Sequence, residues 1–248
     1  MSQGWPFSRP LVLGHRGSSK RAPENTLPAF RQALEDGANG IELDVHLCQD
    51  GEIVVMHDAR VNRTTNGRGR LASLKLEEIR RLDAGSWFSS AFAGTKVPVL
   101  AEVFSAFGSQ IVYDIELKNL GKPGPGLEEQ VIRLVRAFGL EQQVLFTSFN
   151  PAAVKKCQAL LPEAPAGLLM LGGLPGKIEE RLAVNKEGPA LLGSAMRSLA
   201  QRGEAWWTRD FLVWGLETAT EVRQAVGLGA SALVVDDPAM ACEALRRA

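Results

Sequence analysis

The chain has 248 residues, 45% of them hydrophobic, and its 28 Lys plus Arg are matched by 28 Asp plus Glu. The length suits one large α/β domain or two small ones, while the charge balance excludes a global positive field for nucleic acid or for stable membrane association, so phosphate affinity must be local. Cys48, Cys157 and Cys242 are odd in number and far apart, which excludes a disulfide framework or a CxxC metal site and suits a reducing, cytoplasmic setting.

The opening MSQGWPFSRPLVLGHRG has neither a basic n-region nor an apolar h-region and reads as no secretory signal. No run approaches a membrane span. Leu11 to Leu13 makes a first strand. The stretch LGHRGSSKRAPENT (13–26) that follows is rich in small, charged and turn-forming residues, as in a solvated loop or an anion site on a βα loop. Leu27, Phe30 and Leu34 then recur at helical spacing up to Gly37, and GIELDVHL (40–47) is the second strand of a βαβ unit.

EIVVMH (52–57) follows too closely for a helical crossover, which takes about a dozen residues, so it is expected to form a hairpin arm. Asp50-Gly51 favours a two-residue type I′ turn. With that pair at the tip, Gln49 faces Glu52, Cys48 faces Ile53, and Asp44 faces His57. From Asp58 to Val97 the βα rhythm lapses, with one short helix around Leu74 to Leu82. This predicts a small insertion over the C-terminal face, either a lid or a surface excursion.

Further strands are QIVYDIEL, QVLFTSF, AGLLML, ALLGSA, FLVWGL and SALVVD, with helix N-caps at Asn150, Asp237 and Thr218, the last in a capping box with Glu221. Without the hairpin arm the strands number eight, which predicts a TIM (β/α)8 barrel as a single domain over 1–248 with the insertion at 58–97.

Two residues apart on one strand, Glu42 and Asp44 leave the same face, and Glu116 and Lys118 repeat that spacing. Barrel sites lie at the C-terminal face, so these four are expected to converge with His15, Arg16 and His57. Singly, each also fits a structural salt bridge; their coincidence points to chemistry. Three carboxylates together repel unless a proton or cation intervenes, and an all-oxygen set favours Mg²⁺ or Ca²⁺. Beside them, Arg16 and Lys118 would hold an anion such as a phosphate ester. Two histidines near one phosphorus suit a general acid and a general base, whereas His46 reads as a structural hydrogen-bonding residue. The chain has no GxSxG elbow, GxxxxGK[ST] loop or HExxH helix. Trp87 and Phe88 are read either as an apolar wall for a substrate or as anchors of the insertion.

GHRGSSKRAPENT, GIELDVHLCQDGEIVVMHD, TTNG, DAGSWF and DIELK together resemble the glycerophosphodiester phosphodiesterases of the cytoplasmic bacterial type, in order from residue 13 to about 149. The resemblance implies hydrolysis of glycerophosphodiesters to sn-glycerol 3-phosphate and an alcohol, with Mg²⁺ or Ca²⁺. It places metal ligands on Glu42, Asp44 and Glu116, catalytic histidines on His15 and His57, and phosphate binding on Arg16 and Lys118. Glu24 and Asn25 fall on the family's acid-amide pair, Glu24 as a further ligand or an orienting partner. The implied mechanism has the glycerol 2-hydroxyl attack phosphorus and a cyclic phosphate then hydrolyse. The seventh barrel strand departs: VWGLE (213–217) keeps Trp214 at the substrate but puts Glu217 where the family has Asn, and the segment 188–211 lacks the expected polar pattern. Alternatives are a lysophospholipase D, a phosphoinositide phospholipase-type barrel, or an inactive barrel that binds phosphorylated polyols. Monomer and homodimer both fit, the latter through exposed Trp206 and Trp207.

Overall fold

The computed structural model describes residues 5–118, 126–170, 189, 191–199, 202, 206 and 208–247. Leu171, Ala190, Trp207 and much of 171–207 lie outside them. In chain order the strands are β1 (Leu11–His15), β2 (Gly40–Leu47), β3 (Ile53–Val55), β4 (Val112–Leu117), β5 (Val144–Ser148), β6 (Ala166–Met170), β7 (Leu191–Ala195), β8 (Asp210–Trp214) and β9 (Ala232–Val235). All but β3 are parallel, and β1 pairs with both β2 and β9, which closes an eight-stranded TIM barrel.

The helices between the strands are α1 (Leu27–Glu35), α2 (Leu76–Arg80), α3 (Leu100–Phe107), α4 (Leu127–Ala137), α5 (Pro151–Leu160), α6 (Met196–Leu199), α7 (Ala219–Gly227) and α8 (Pro238–Arg246). Their starts follow local chemistry: the side chains of Asn150, Thr218 and Asp237 accept backbone N–H bonds at the first turns of α5, α7 and α8. The helix expected over 74–82 is the shorter α2.

The strands are apolar on both faces because both are covered. Val12, Leu43, Ile115, Phe146 and Val213 pack outward in the large core shared with the helices. The alternate residues Leu13, Leu145, Leu169, Leu212 and Val234 fill the barrel. Following the same inward parity toward the strand C-termini, Leu13 leads to His15, Leu145 to Thr147, Leu212 to Trp214 and Val234 to Asp236. The inward-facing side chains thus become more polar at the barrel mouth.

β2 is longer than its neighbours. Residues 40–42 pair with β1, whereas 45–47 continue past the end of β1 and pair with β3. The hairpin therefore rises over the mouth, but its register differs from the one expected. Leu47 pairs with Ile53 and Val45 with Val55, so Asp44 faces Met56, whose N–H donates to the Asp44 carbonyl at 2.9 Å. The turn is the cause. Gly51 is left-handed at φ +87° and its N–H donates to the Cys48 carbonyl at 3.1 Å, while Asp50 lacks the positive φ that a type I′ turn demands. One added loop residue shifts the register by one.

Residues beyond β3 pack with the hairpin around Cys48, Val54, Met56, Val61, Leu71, Ile79, Ala84, Val97 and Val99, a cluster separate from the barrel's. Trp206 is 0% exposed and packs beside Phe211 beneath the Arg202 guanidinium, so it offers no exposed surface for self-association. Among the described residues no helix is long and apolar enough to cross a membrane.

Candidate active site

At the end of β1 the backbone takes a conformation that side chains disfavour. Arg16 and Asn25 are both left-handed, at φ +55° and +56°, each costing on the order of 1–3 kcal/mol. The surroundings hold them there. The Arg16 N–H donates to Glu42 Oε2 at 2.9 Å, and the Asn25 N–H to the Arg16 carbonyl at 2.9 Å. The Asn25 side chain donates to Asp44 Oδ2 at 2.7 Å and accepts from the Asp44 N–H at 3.3 Å. The PENT turn thus grips the second carboxylate of β2.

Glu42, Asp44 and Glu116 each present an oxygen within 4.8 Å of the others, and all three are buried. Lys118 Nζ lies 2.6 Å from Glu116 and 3.0 Å from Asp44, and Arg16 Nε lies 3.4 Å from Asp44. Burial, then the charges of Asp44 and Glu116, push Glu42 well above the usual carboxylate range. Burial and Asp44 raise Glu116 to about 7. For Asp44 burial acts upward too, but Lys118 and Arg16 outweigh it and hold the group ionised. Glu42 Oε1 is buried with no hydrogen-bond partner among the described residues. Such a surplus of negative charge, with an unmatched oxygen and hard donors only, fits a divalent cation.

Both histidines of the site are held at Nδ1 by a carboxylate. His15 meets Asp236 at 2.6 Å and His57 meets Asp58 at 2.7 Å, so each ring turns Nε2 away from its holder. His57 reaches the mouth because β3 has ended and the chain no longer alternates. His46 Nε2 bonds the His57 carbonyl at 3.1 Å, a structural role.

These groups line a cavity of about 160 Å³. His15, Arg16, Glu42, His57, Asp114, Glu116, Lys118 and Thr147 form its polar side; Phe149, Leu169, Leu212, Trp214 and Val234 form the other. Trp214 and Phe149 meet edge to face at 5.9 Å. Asp44 lies buried beneath, and Glu24 and Asn25 line a small neighbouring cavity that His57 also borders. The structure does not bring Trp87 and Phe88 to this cavity: they pack edge to face on one another, Phe88 packs on Phe92, and the Trp87 indole donates to the Ala84 carbonyl within the insertion. Glu217 is not among its lining residues either; it is exposed ahead of α7 with its N–H on Glu221. The hollow at the opposite barrel end, lined by Phe7, Leu11, Leu34 and Ile111, has no titratable side chain.

Sequence reasoning missed Asp58, Arg63, Asp114, Thr147, Phe149 and Asp236. Parity along β4 and β5 signalled Asp114, Thr147 and Phe149, and adjacency to His57 signalled Asp58. Parity along β9 likewise leads from Val234 to Asp236, but no local signal marked Arg63.

A closed parallel barrel whose C-terminal mouth gathers two cations, three carboxylates and two carboxylate-held histidines has the parts of a phosphate-ester hydrolase. A family model described as the glycerophosphoryl diester phosphodiesterase family matches residues 15–240, and the chain belongs to that family and is a phosphoric diester hydrolase. A glycerophosphodiester phosphodiesterase of Caldanaerobacter subterraneus is 36% identical over 232 residues, 92% of this chain and 94% of that one. The crystal structure of a glycerophosphodiester phosphodiesterase from Agrobacterium tumefaciens superposes with a TM-score of 0.78 at 28% identity, over 94% of this chain and 98% of that one. A phosphodiesterase of Oleispira antarctica, in complex with the product sn-glycerol-3-phosphate, has a TM-score of 0.78 at 31% identity over 96% of this chain and 97% of that one.

Proposed function

We propose that the enzyme cleaves glycerophosphodiesters to sn-glycerol 3-phosphate and an alcohol in a metal-dependent reaction, with His15 and His57 as its acid and base. The observation that carries this reading is the pair of carboxylate-held imidazoles flanking a cavity that also contains Arg16, Lys118 and the three carboxylates. The product bound by the Oleispira relative supports the substrate class.

Arg16 and Lys118 orient the phosphoryl oxygens, the former through a planar fork and the latter as a point charge. One imidazole takes the proton of the glycerol 2-hydroxyl as that oxygen attacks phosphorus, and the other gives a proton to the departing alcohol oxygen. The roles then reverse as water opens the cyclic ester. Glu42, Asp44 and Glu116 would hold Mg²⁺ or Ca²⁺, which when bound supplies charge neutralisation at the phosphoryl group and a lower hydroxyl pKa. Phe149, Trp214 and Leu212 receive the carbon skeleton. We read the whole as one barrel domain with 58–97 covering part of its mouth, working in the cytoplasm as a monomer or homodimer.

The test is glycerol 3-phosphate release from glycerophosphocholine by protein stripped with EDTA and refilled with Mg²⁺, Ca²⁺ or Mn²⁺. Release should vanish on stripping and return with one of the ions, and His15→Ala and His57→Ala should each lower kcat by about 10²–10⁴. Release that ignores EDTA refutes the metal, and wild-type turnover in both alanine variants refutes the two-histidine mechanism.

A further inference from the structure

Arg63 directly precedes the TTNG stretch, and its guanidinium makes four hydrogen bonds to two carboxylates. Nε and Nη2 donate to Asp58 Oδ2 and Oδ1, both at 2.9 Å. Nη1 and Nη2 donate to Glu24 Oε2 and Oε1 at 2.7 and 2.8 Å. Each carboxylate has one further side-chain partner, and each partner is a site residue: Arg16 Nη1 lies 2.9 Å from Glu24, and His57 Nδ1 lies 2.7 Å from Asp58. The side chains form one continuous series, from Arg16 through Glu24, Arg63 and Asp58 to His57.

We propose that Arg63 is a positioning residue for catalysis, which locks Glu24 to Asp58 and so sets the phosphate-facing guanidinium of Arg16 and the imidazole of His57 relative to one another. This inference rests on the roles given to Arg16 and His57 above. A planar fork with five donors serves two carboxylates at once, whereas an ammonium is a single point of charge. Without Arg63 two acids would stand side by side, Glu24 keeping only Arg16 and Asp58 only His57, each with its rotamer unlocked.

The neighbouring backbone is fixed, since Thr64 and Thr65 are buried and Thr65 Oγ1 donates to the Val61 carbonyl at 2.6 Å. The Arg63 side chain is nonetheless 44% exposed, so its removal should spare the fold and leave a space open to solvent. Among the described residues His15 has no such brace: Asp236, which holds it, has a side chain 47% exposed and a further side-chain bond to Ser19 at 3.2 Å. The insertion thus fixes one of the two imidazoles, and the barrel itself fixes the other.

The test measures kcat, KM and thermal unfolding for R63A, R63K, H57A and the wild type, in one metal-replete assay of glycerol 3-phosphate release. Because a misplaced group costs on the order of 10²-fold, R63A should lose about that much in kcat, with a smaller change in KM and little change in Tm. R63K should recover only a small part, while millimolar guanidinium should raise the turnover of R63A and leave that of R63K unchanged. In a D58N background, R63A should cost less than it does alone, since both act on His57. If H57A turns over normally, the role of His57 itself fails. If H57A is inactive while R63A keeps wild-type kcat, or R63A loses activity only in step with Tm and without response to guanidinium, the role given to Arg63 is overturned.

Discussion

Asp114 sits one step below the carboxylate cluster on β4 and acts differently from its neighbours. Burial, then the charges of Glu116 and Asp44, hold it at about 8, although Thr147 donates a hydrogen bond of 2.7 Å to it. A folded value above the ordinary one of about 4 means that the native chain keeps a proton the unfolded chain releases. Its stabilising contribution is complete below about pH 4 and fades as pH rises toward about 8. Asp114→Asn should therefore flatten the stability of the metal-free protein over that interval, measured by urea unfolding at several pH values; an unchanged slope would show that Asp114 is ionised in the native state. Asp58 has the opposite sign. The Arg63 hydrogen bond outweighs burial and, with the weaker effect of the His57 bond, lowers it to about 2, so its contribution is present above about pH 4 and is lost as pH falls to about 2. At His15 the residue of interest is Asp236. Asp236→Asn removes the acceptor that keeps the proton on Nδ1 and should lower kcat by about 10²-fold or more with the fold retained; an unaffected kcat would leave Asp236 as a surface acid only. Its absence from the sequence reading has a plain cause: the partners are 221 residues apart, and one chain shows no sign of who meets whom across barrel closure.

Among the elements, the β2–β3 hairpin separates what local chemistry reveals from what it does not. Asp50-Gly51 correctly marks a reversal, because a short link between two β-rich runs leaves no other connection. The dipeptide does not tell whether Gly51 sits inside the turn or just after it, and that difference moves every cross-strand neighbour by one. His57 still arrives at the mouth because β3 stops at Val55, an ending that no periodicity encodes. The two glycines at either end of this region should respond differently. A Cβ on Gly51 meets nothing within 4 Å, so Gly51→Ala should cost about 1 kcal/mol from the positive φ alone and keep activity. A Cβ on Gly40 would lie 1.9 Å from the Val112 carbonyl, a backbone clash inside the barrel that should unfold the chain or cost several times more. Equal midpoints for the two in urea would mean that β2 and β4 can part without loss.

On the scale of the whole molecule, a chain with no net charge gathers four buried carboxylates, Glu42, Asp44, Asp114 and Glu116, toward one end of the barrel. That architecture was legible because apolar runs alternate with helical periods along the sequence, and Asn150, Thr218 and Asp237 cap helices where the sequence places them. Glu42, Asp44, Glu116 and His15 follow parity along β2, β4 and β1, and strand direction decides which end of the barrel they reach, whereas His57 does not follow it. The aromatic residues were not: Trp206 is as apolar in sequence as Trp87, yet one is 0% and the other 41% exposed, because three-dimensional packing and not composition decides burial. The crowding of Glu42, Asp44 and Glu116 also predicts a global response. Mg²⁺ or Ca²⁺ added to stripped protein should raise Tm in a concentration-dependent way, and Glu42→Gln should weaken that rise; a Tm indifferent to either ion would argue against a cation there.

The barrel closes where β1 meets β9, and His15 at the end of the first strand depends on Asp236 just after the last. Translation thus delivers every residue proposed to hold phosphate or metal long before the carboxylate that orients this imidazole. N-terminal portions fold early during synthesis, but a ribosome-bound chain that stops short of β9 should release no glycerol 3-phosphate from added diester. Hydrolysis should begin only once β9 and Asp236 have been added, and a chain aborted before them should be a silent one.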